Sequence, residues 1–446
     1  YEILIGLVGS EMCIRDRIDT FAAIKNKKCM NNQFTHPKER IRFAILTFFF
    51  AQGLCMASWA SRIPDFKDVF AANYAFYWGL ILFMIPVGKF VAIPLAGYLV
   101  SKLGSRSMVQ VSILGYASSL LCVGLAHEVY LLGFLLFCFG VCWNLCDISF
   151  NTQGIEVERL YGKTIMATFH GGWSLGACAG ALIGFVMILA GVSPIWHYTL
   201  IFIIILIIAL SGRKYLQESA PQEAEVSDTK TQERNTAKAP NGFRLLFQKP
   251  EMLLLQLGLV GLFALIVESA MFDWSAVYFE SVVHVPKSLQ IGFLVFMIMM
   301  ATGRFLTNYA YQLWGKKKVL QLAGSFICIG FFVSALLGGV FESMAMKVII
   351  NSLGFMLVGL GISCIVPTLY SFVGAKSKTP VSIALTILSS ISFIGSLIAP
   401  LLIGAISQAF DIRIAYMIIG ILGGCIVLIV SFSSAFDIQE SGDKPE

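Results

Sequence analysis

The feature that most constrains this chain is a recurring one: apolar runs of roughly 20 residues, the length a helix needs to cross a bilayer, separated by short polar connections. Backbone N–H and C=O groups find no partners in lipid, so such runs must be helices whose hydrogen bonds close within the segment. Spans 1 to 6 fall near Ile41–Trp59, Phe76–Val100, Met108–Leu125, Tyr130–Phe150, Thr164–Ala190 and Tyr198–Leu210. Spans 7 to 12 fall near Met252–Val277, Leu289–Leu313, Val319–Val340, Val348–Phe372, Val381–Phe410 and Ile414–Ser433. Residues 213–250 turn polar and read as a flexible tether. The predicted fold is an all-α membrane protein with twelve transmembrane helices in two pseudo-symmetric six-helix bundles. The halves are 40–212 and 251–434, with a linker at 213–250 and tails at 18–39 and 435–446.

Composition agrees with lipid as the main solvent. Only 13% of the 446 residues are charged and 57% are hydrophobic, whereas soluble domains carry about 25% charged residues. The net charge of +6 therefore gives no argument for nucleic acid; its distribution says more. Seventeen Lys and Arg, among them Lys38, Arg42, Lys102, Arg106, Arg213, Lys316 and Lys376, lie in one alternate set of connections and ends. The other set holds five: Arg62, Lys67, Lys287, Lys347 and Arg413. Short cytoplasmic loops collect positive charge, so both termini and the linker are expected in the cytoplasm, with the chain in a bacterial inner membrane.

Residues 1–17 (YEILIGLVGSEMCIRDR) contain no initiator Met and read as an adapter-like, non-native segment rather than a signal peptide. The native start is expected at Met30 or slightly earlier. Eleven cysteines occur, most within apolar runs. Cys138, Cys142 and Cys146, spaced i, i+4, i+8, read as small packing residues on one helix face. No CxxC pair or cluster of His and Cys donors suggests a metal, and neither metal nor cofactor is expected.

Between spans 2 and 3 stands Gly97-Tyr-Leu-Val-Ser101-Lys102-Leu-Gly104-Ser-Arg106. Between spans 8 and 9, Gly303-Arg304-Phe-Leu-Thr307-Asn308-Tyr309 is followed by Gly315-Lys316-Lys317-Lys318. These resemble the paired loops of the major facilitator superfamily, G-x-L-x-D-R-x-G-R-R and its second-half counterpart, with Ser101 and Asn308 where that family usually has Asp. Two related loops at corresponding places are the internal repeat expected of transporter folds. The glycines permit tight turns, and the basic residues can pair with helix ends in one conformation only. A plain positively charged loop is the other reading. Further segments, Trp59-Ala-Ser-Arg62-Ile-Pro64, Asn151-Thr-Gln-Gly154 and His170-Gly-Gly-Trp173-Ser-Leu-Gly176, resemble a bacterial subgroup of MosC-like and YbjJ-like permeases. That subgroup is loosely linked to fucose-permease-like proteins and to sugar or inositol-derived solutes.

The resemblance implies that spans 1, 2, 4, 5, 7, 8, 10 and 11 enclose a central cavity. Charges inside spans should face such a cavity or each other rather than lipid. Those present are Lys89, Asp147, Glu268 and Arg304, the candidate coupling charges, with His170 in span 5; Asp273, nearer the end of span 7, reads as simply wet. Asn144, Asp147 and Asn151 share a face at i, i+3, i+7, and His170, Trp173 and Ser174 share another. Either the two faces contact a hydroxylated or zwitterionic solute or they form a hydrogen-bonded lock between spans 4 and 5. Gln52, Asn144, His170, Trp173 and Trp274 are the candidate solute contacts. Gly97, Lys102, Gly104, Arg106, Gly303, Asn308, Gly315 and Lys316 are the candidate gating residues. Span 4 lacks the Arg carried there by many proton-coupled drug exporters, and Gly176, Gly180 and Gly184 read as a packing stripe.

The resemblance thus implies a monomeric secondary transporter for a small polar solute, with rocker-switch alternating access and protons as a candidate coupling ion. Efflux of drugs or metabolites is the alternative within that class. A transporter-shaped receptor and an intramembrane enzyme are the alternatives outside it; the enzyme would need a second acid or metal ligand beside His170, which the sequence does not offer.

Overall fold

The computed structural model describes residues 37–71, 74–161, 165–217, 251–286, 291–377, 379 and 381–437. The adapter-like segment, the tail before 37, most of the linker and the chain after 437 lie outside the described residues. So do Lys287 and the start of predicted span 8.

Eleven helical stretches among the described residues are long and apolar enough to cross a membrane. One of them, Gly292–Leu337, has 46 residues; as a single helix it would be ~69 Å long at 1.5 Å per residue, more than twice the ~30 Å of a hydrocarbon core. It breaks at Gly315 (φ 73°, ψ 158°) and so supplies two crossings. The twelve helices are α1 (Lys38–Ala60), α2 (Ala75–Leu103), α3 (Ser105–Val123), α4 (Val129–Tyr161), α5 (Met166–Leu189), α6 (Pro194–Gly212), α7 (Met252–Tyr278), α8 (292–314), α9 (316–332), α10 (Met344–Lys376), α11 (Val381–Ala409) and α12 (Ile412–Phe432). The largest departure from the expected spans is α4, which continues eleven residues past Phe150. The sequence reading also missed a short helix, Ile63–Phe70, after α1. Its apolar face explains it: Ile63 and Phe66 are buried, and Phe66 stacks on Tyr198 of α6.

The packing partners repeat between halves. α1 lies on α5 as α7 lies on α11; α2 lies on α4 as α8 lies on α10; α3 and α6 pair as α9 and α12 do. The halves meet along α2–α11 and α5–α8, contacts that exchange under the substitution 1→7, 2→8, 5→11. That exchange is the mark of a pseudo-two-fold axis through the bundle. The glycine stripe on α5 serves the α1 contact: a Cβ at Gly176 or Gly180 would stand 1.9 or 2.6 Å from the carbonyl oxygen of Phe50 or Leu54. Side chains on α6 and α12 such as Ile207, Leu210, Leu428 and Phe432 are exposed, as lipid-facing residues should be.

The motif glycines take one unusual shape in both halves. Gly104 has φ 77° and ψ 149°, nearly the angles of Gly315, in a region essentially closed to residues with a Cβ. Gly97 and Gly303, read as loop residues, lie instead inside α2 and α8, where a Cβ at Gly303 would strike Ser363 Oγ of α10. The turns themselves are confined to Gly104 and Gly315. Near them Lys102 donates to the Tyr98 hydroxyl at 3.2 Å, Arg106 sits in the first turn of α3, Lys316 donates to Ser371 Oγ, and Asn308 is exposed.

Each half ends in the same way. After α6 a 3-10 turn, Arg213–Tyr215, is followed by buried Leu216. Gln217 then exchanges hydrogen bonds with the side chain of Gln153 on α4, which also donates to Ser105 at the start of α3. After α12 a 3-10 turn, Ser434–Phe436, buries Phe436 against Phe372. Asp437 then accepts from Lys317 at 2.6 Å, and Lys376 donates to the Asp437 carbonyl. The Lys317 bond, with the charges of Lys317 and Lys376, holds the Asp437 carboxyl below the usual carboxylate range. Its contribution is therefore present at neutral pH and lost as pH falls through that lowered value.

Candidate functional site

Between the halves lies a cavity of about 260 Å³, lined from α1, α2, α4 and α5 on one side and α7, α8 and α11 on the other. None of its lining residues comes from α3, α6, α9, α10 or α12, so α10, expected to face it, does not. Seen from the face where the described chain begins and ends, the mouth holds Asn151 and His170, and His170 is exposed. Toward the opposite face the cavity ends at Met56, Trp59 and Ala60, all buried. Beyond them α2 and α11 touch backbone to backbone, where a Cβ at Gly79 would lie 2.4 Å from the Pro400 oxygen and 3.3 Å from Gly404 Cα. The structure is open on the terminal face and closed on the other.

Of the nine candidate solute contacts and coupling charges, seven line this cavity: Gln52, Lys89, Asp147, His170, Trp173, Glu268 and Arg304. Asn144 and Trp274 do not. Trp274 is fully buried and borders a smaller pocket near the closed face with Lys67, Ser407 and Gln408. Asn144 is not among the lining residues, although it lies about 60° from Asp147 and about 20° from Asn151 around α4.

The charges form two groups. Lys89 Nζ stands 3.8 Å from Asp147 Oδ2 and 3.9 Å from the centre of the Trp143 ring, while Gln52 Nε2 donates to Asp147 Oδ1. This group joins α1, α2 and α4 within the N-terminal half. Arg304 pairs with Glu268 of its own half at 3.7 Å, yet also donates to Ser174 Oγ of α5 at 2.6 Å and lies 5.3 Å from the Trp173 ring centre. The guanidinium therefore spans the two halves, and Cys178 donates to the Met297 carbonyl in the same α5–α8 seam. Cation–π contacts of this kind contribute about 0.5–2 kcal/mol and add to the ion pairs in positioning each cation.

The chain reading missed Trp143 and Asp273. Trp143 precedes Asp147 by four residues, so helical spacing alone places them on one face. Asp273 follows Glu268 by five residues and also lines the cavity. The Arg62 motif has a structural role: its side chain is 4% exposed, pairs with Asp65 at 2.9 Å and donates to His197 Nδ1 at 3.3 Å. It ties the end of α1 to the start of α6.

A family model described as Major Facilitator Superfamily matches residues 48–380, about three-quarters of the chain. The chain belongs to the major facilitator superfamily. It is 29% identical over 390 residues to an uncharacterised transporter of this superfamily from Yersinia pestis, covering 86% of this chain and 91% of that one. It is 25% identical over 424 residues to the membrane protein MosC of Rhizobium meliloti, covering 95% and 96%. Among solved structures, the nucleoside transporter NupG superposes with a TM-score of 0.69 at 12% identity, over 89% of this chain and all of that one. Two of these three are named as transporters and the third as a membrane protein. The superfamily protein described here is likewise a membrane transport protein rather than an enzyme.

Proposed function

We propose that this superfamily member moves a small polar solute across a bacterial inner membrane by rocker-switch alternating access, as a monomer with both ends and the linker in the cytoplasm. The observation that carries the reading is the cavity itself. Both halves contribute charged and aromatic side chains to one space that is open at one face and closed at the other. Its volume of about 260 Å³ lies just below the roughly 300–1,000 Å³ of small-molecule sites, which favours a solute of one or two rings over a large drug. Trp59, Trp143 and Trp173 supply flat faces for a ring, and Gln52, Asn151 and His170 supply hydrogen-bonding groups. The concentration of Lys and Arg on the terminal face supports a cytoplasmic orientation for that face, which makes this the inward-open form. The linker acts as a tether.

A thermal-shift screen of the purified chain against sugars, inositols, nucleosides and amino acids tests this. A ligand that binds the folded state at 100 times its Kd stabilises it by about 2.7 kcal/mol, and Gln52→Ala with Trp173→Ala should erase the shift. Counterflow of the hit in proteoliposomes should then be seen with the parent chain. Saturable binding without counterflow would favour a receptor over a transporter.

A further inference from the structure

The charges lining the cavity do not balance. Two cations, Lys89 and Arg304, face three acids, Asp147, Glu268 and Asp273. Lys89 is taken by Asp147 and Arg304 by Glu268. Among the described residues, no hydrogen-bonding group or ion-pair partner is placed on the Asp273 carboxylate. It stands about 7.5 Å further along α7 than Glu268, five residues at 1.5 Å each, toward the closed end of the cavity. Its sequence neighbours are Phe272, which packs on Trp173, Phe293 and Phe296, and fully buried Trp274.

Other titratable groups around it leave the imbalance standing. From α2, Lys89 acts on Asp273 electrostatically but already serves Asp147 and the Trp143 ring. From α12 the group within electrostatic reach is the Tyr416 phenol. His170 of α5, Arg304 of α8 and Asp147 of α4 share the cavity, and α11 has no charged side chain anywhere in Val381–Ala409. A lone carboxylate in such a setting is costly in its ionised form, and the cost disappears when a positive charge joins it.

We propose that Asp273 is the site on which a positive charge crosses the membrane. It accepts one charge while the cavity faces the cytoplasm or the outside, and gives it up on the other side. That charge is a proton, taken from hydronium to leave water and a neutral carboxyl, or the cationic nitrogen of the solute. The proposal rests on the transporter reading above. It assigns to Asp147 and Glu268, already paired, the lesser task of holding Lys89 and Arg304.

Infrared difference spectra of the full chain in lipid vesicles, recorded between mildly alkaline and mildly acidic buffer, read the site directly. The parent should show the C=O stretch of a carboxyl that gains a proton. Asp273→Asn should lose that band, Asp273→Glu should shift it, and Glu268→Gln should keep it. Titration in the presence of choline, a quaternary ammonium probe, separates the two sources. A midpoint moved to lower pH by choline and not by myo-inositol assigns the charge to a solute nitrogen; an unmoved midpoint with the band still dependent on Asp273 assigns it to the proton. A band unchanged in Asp273→Asn, or no titrating carboxyl in the parent, overturns the proposal. An Asp273-dependent band in a chain that shows no counterflow would instead count against the transporter reading alone.

Discussion

Ser174→Ala is expected to drive the protein out of the form seen here. The Arg304 guanidinium reaches from one half to the other, and its bond to Ser174 Oγ exists only while α5 and α8 are in their present register. A hydrogen bond to a charged group contributes about 1.5–3 kcal/mol, and 1.4 kcal/mol is tenfold in an equilibrium. Removing it should therefore shift the balance between the two open forms by on the order of 10- to 100-fold. Labelling by an impermeant thiol reagent of Asn151→Cys, at the mouth of the cavity, should slow accordingly in a chain whose native cysteines are replaced. Equal labelling with and without Ser174→Ala would show that the bond does not select the state. Arg304→Met goes further, because it also strands Glu268 in the cavity; solute exchange should then be abolished even where expression and folding persist.

The second large effect is expected at the paired turns. A Cβ at Gly104 would meet nothing within 4 Å, so any penalty there comes from the backbone angles and not from crowding. Residues held in that region cost about 1–3 kcal/mol each. Gly104→Ala and Gly104→Val should consequently destabilise by nearly the same amount, read as equal losses of thermal stability in detergent. Gly315→Ala should match them, since its φ and ψ are nearly the same. Gly176→Ala offers the contrast, a collision with the Phe50 carbonyl that grows with side-chain size. If Gly104→Val were far worse than Gly104→Ala, the turn would be a crowded contact and not a conformational requirement.

Much of this architecture could be read before any coordinates. Twelve crossings follow from apolar length, because lipid leaves the backbone no alternative to the helix. The repeated glycine and basic residues located both turns. Interior charges located the cavity, because an ionised side chain in lipid must find a partner or water. What escaped has a physical reason in each case. The short helix Ile63–Phe70 is too brief for a periodicity argument, and its signal lies in burial against α6. Trp143 is an aromatic among many in a chain with 13% aromatic residues, and only its approach to Lys89 sets it apart. Asp273 lies near a helix end, where position along the chain cannot distinguish a carboxylate in open water from one at the bottom of a cavity. Asn144 and Trp274 show the converse error: a polar or aromatic residue at cavity depth need not line the cavity, and Trp274 stands about 100° of helix rotation from Asp273.

The matching ends of the two halves have a consequence for how this chain can be divided. Leu216 with Gln217 and Phe436 with Asp437 each fasten the last helix of a half onto that half's own glycine turn or the helix beside it, before the polypeptide goes anywhere else. Neither half borrows its terminal anchor from the other. Two separate polypeptides, one stopping shortly after Gln217 and one starting shortly before Glu251, would each retain a complete boundary, and could recognise one another through the α2–α11 and α5–α8 seams alone.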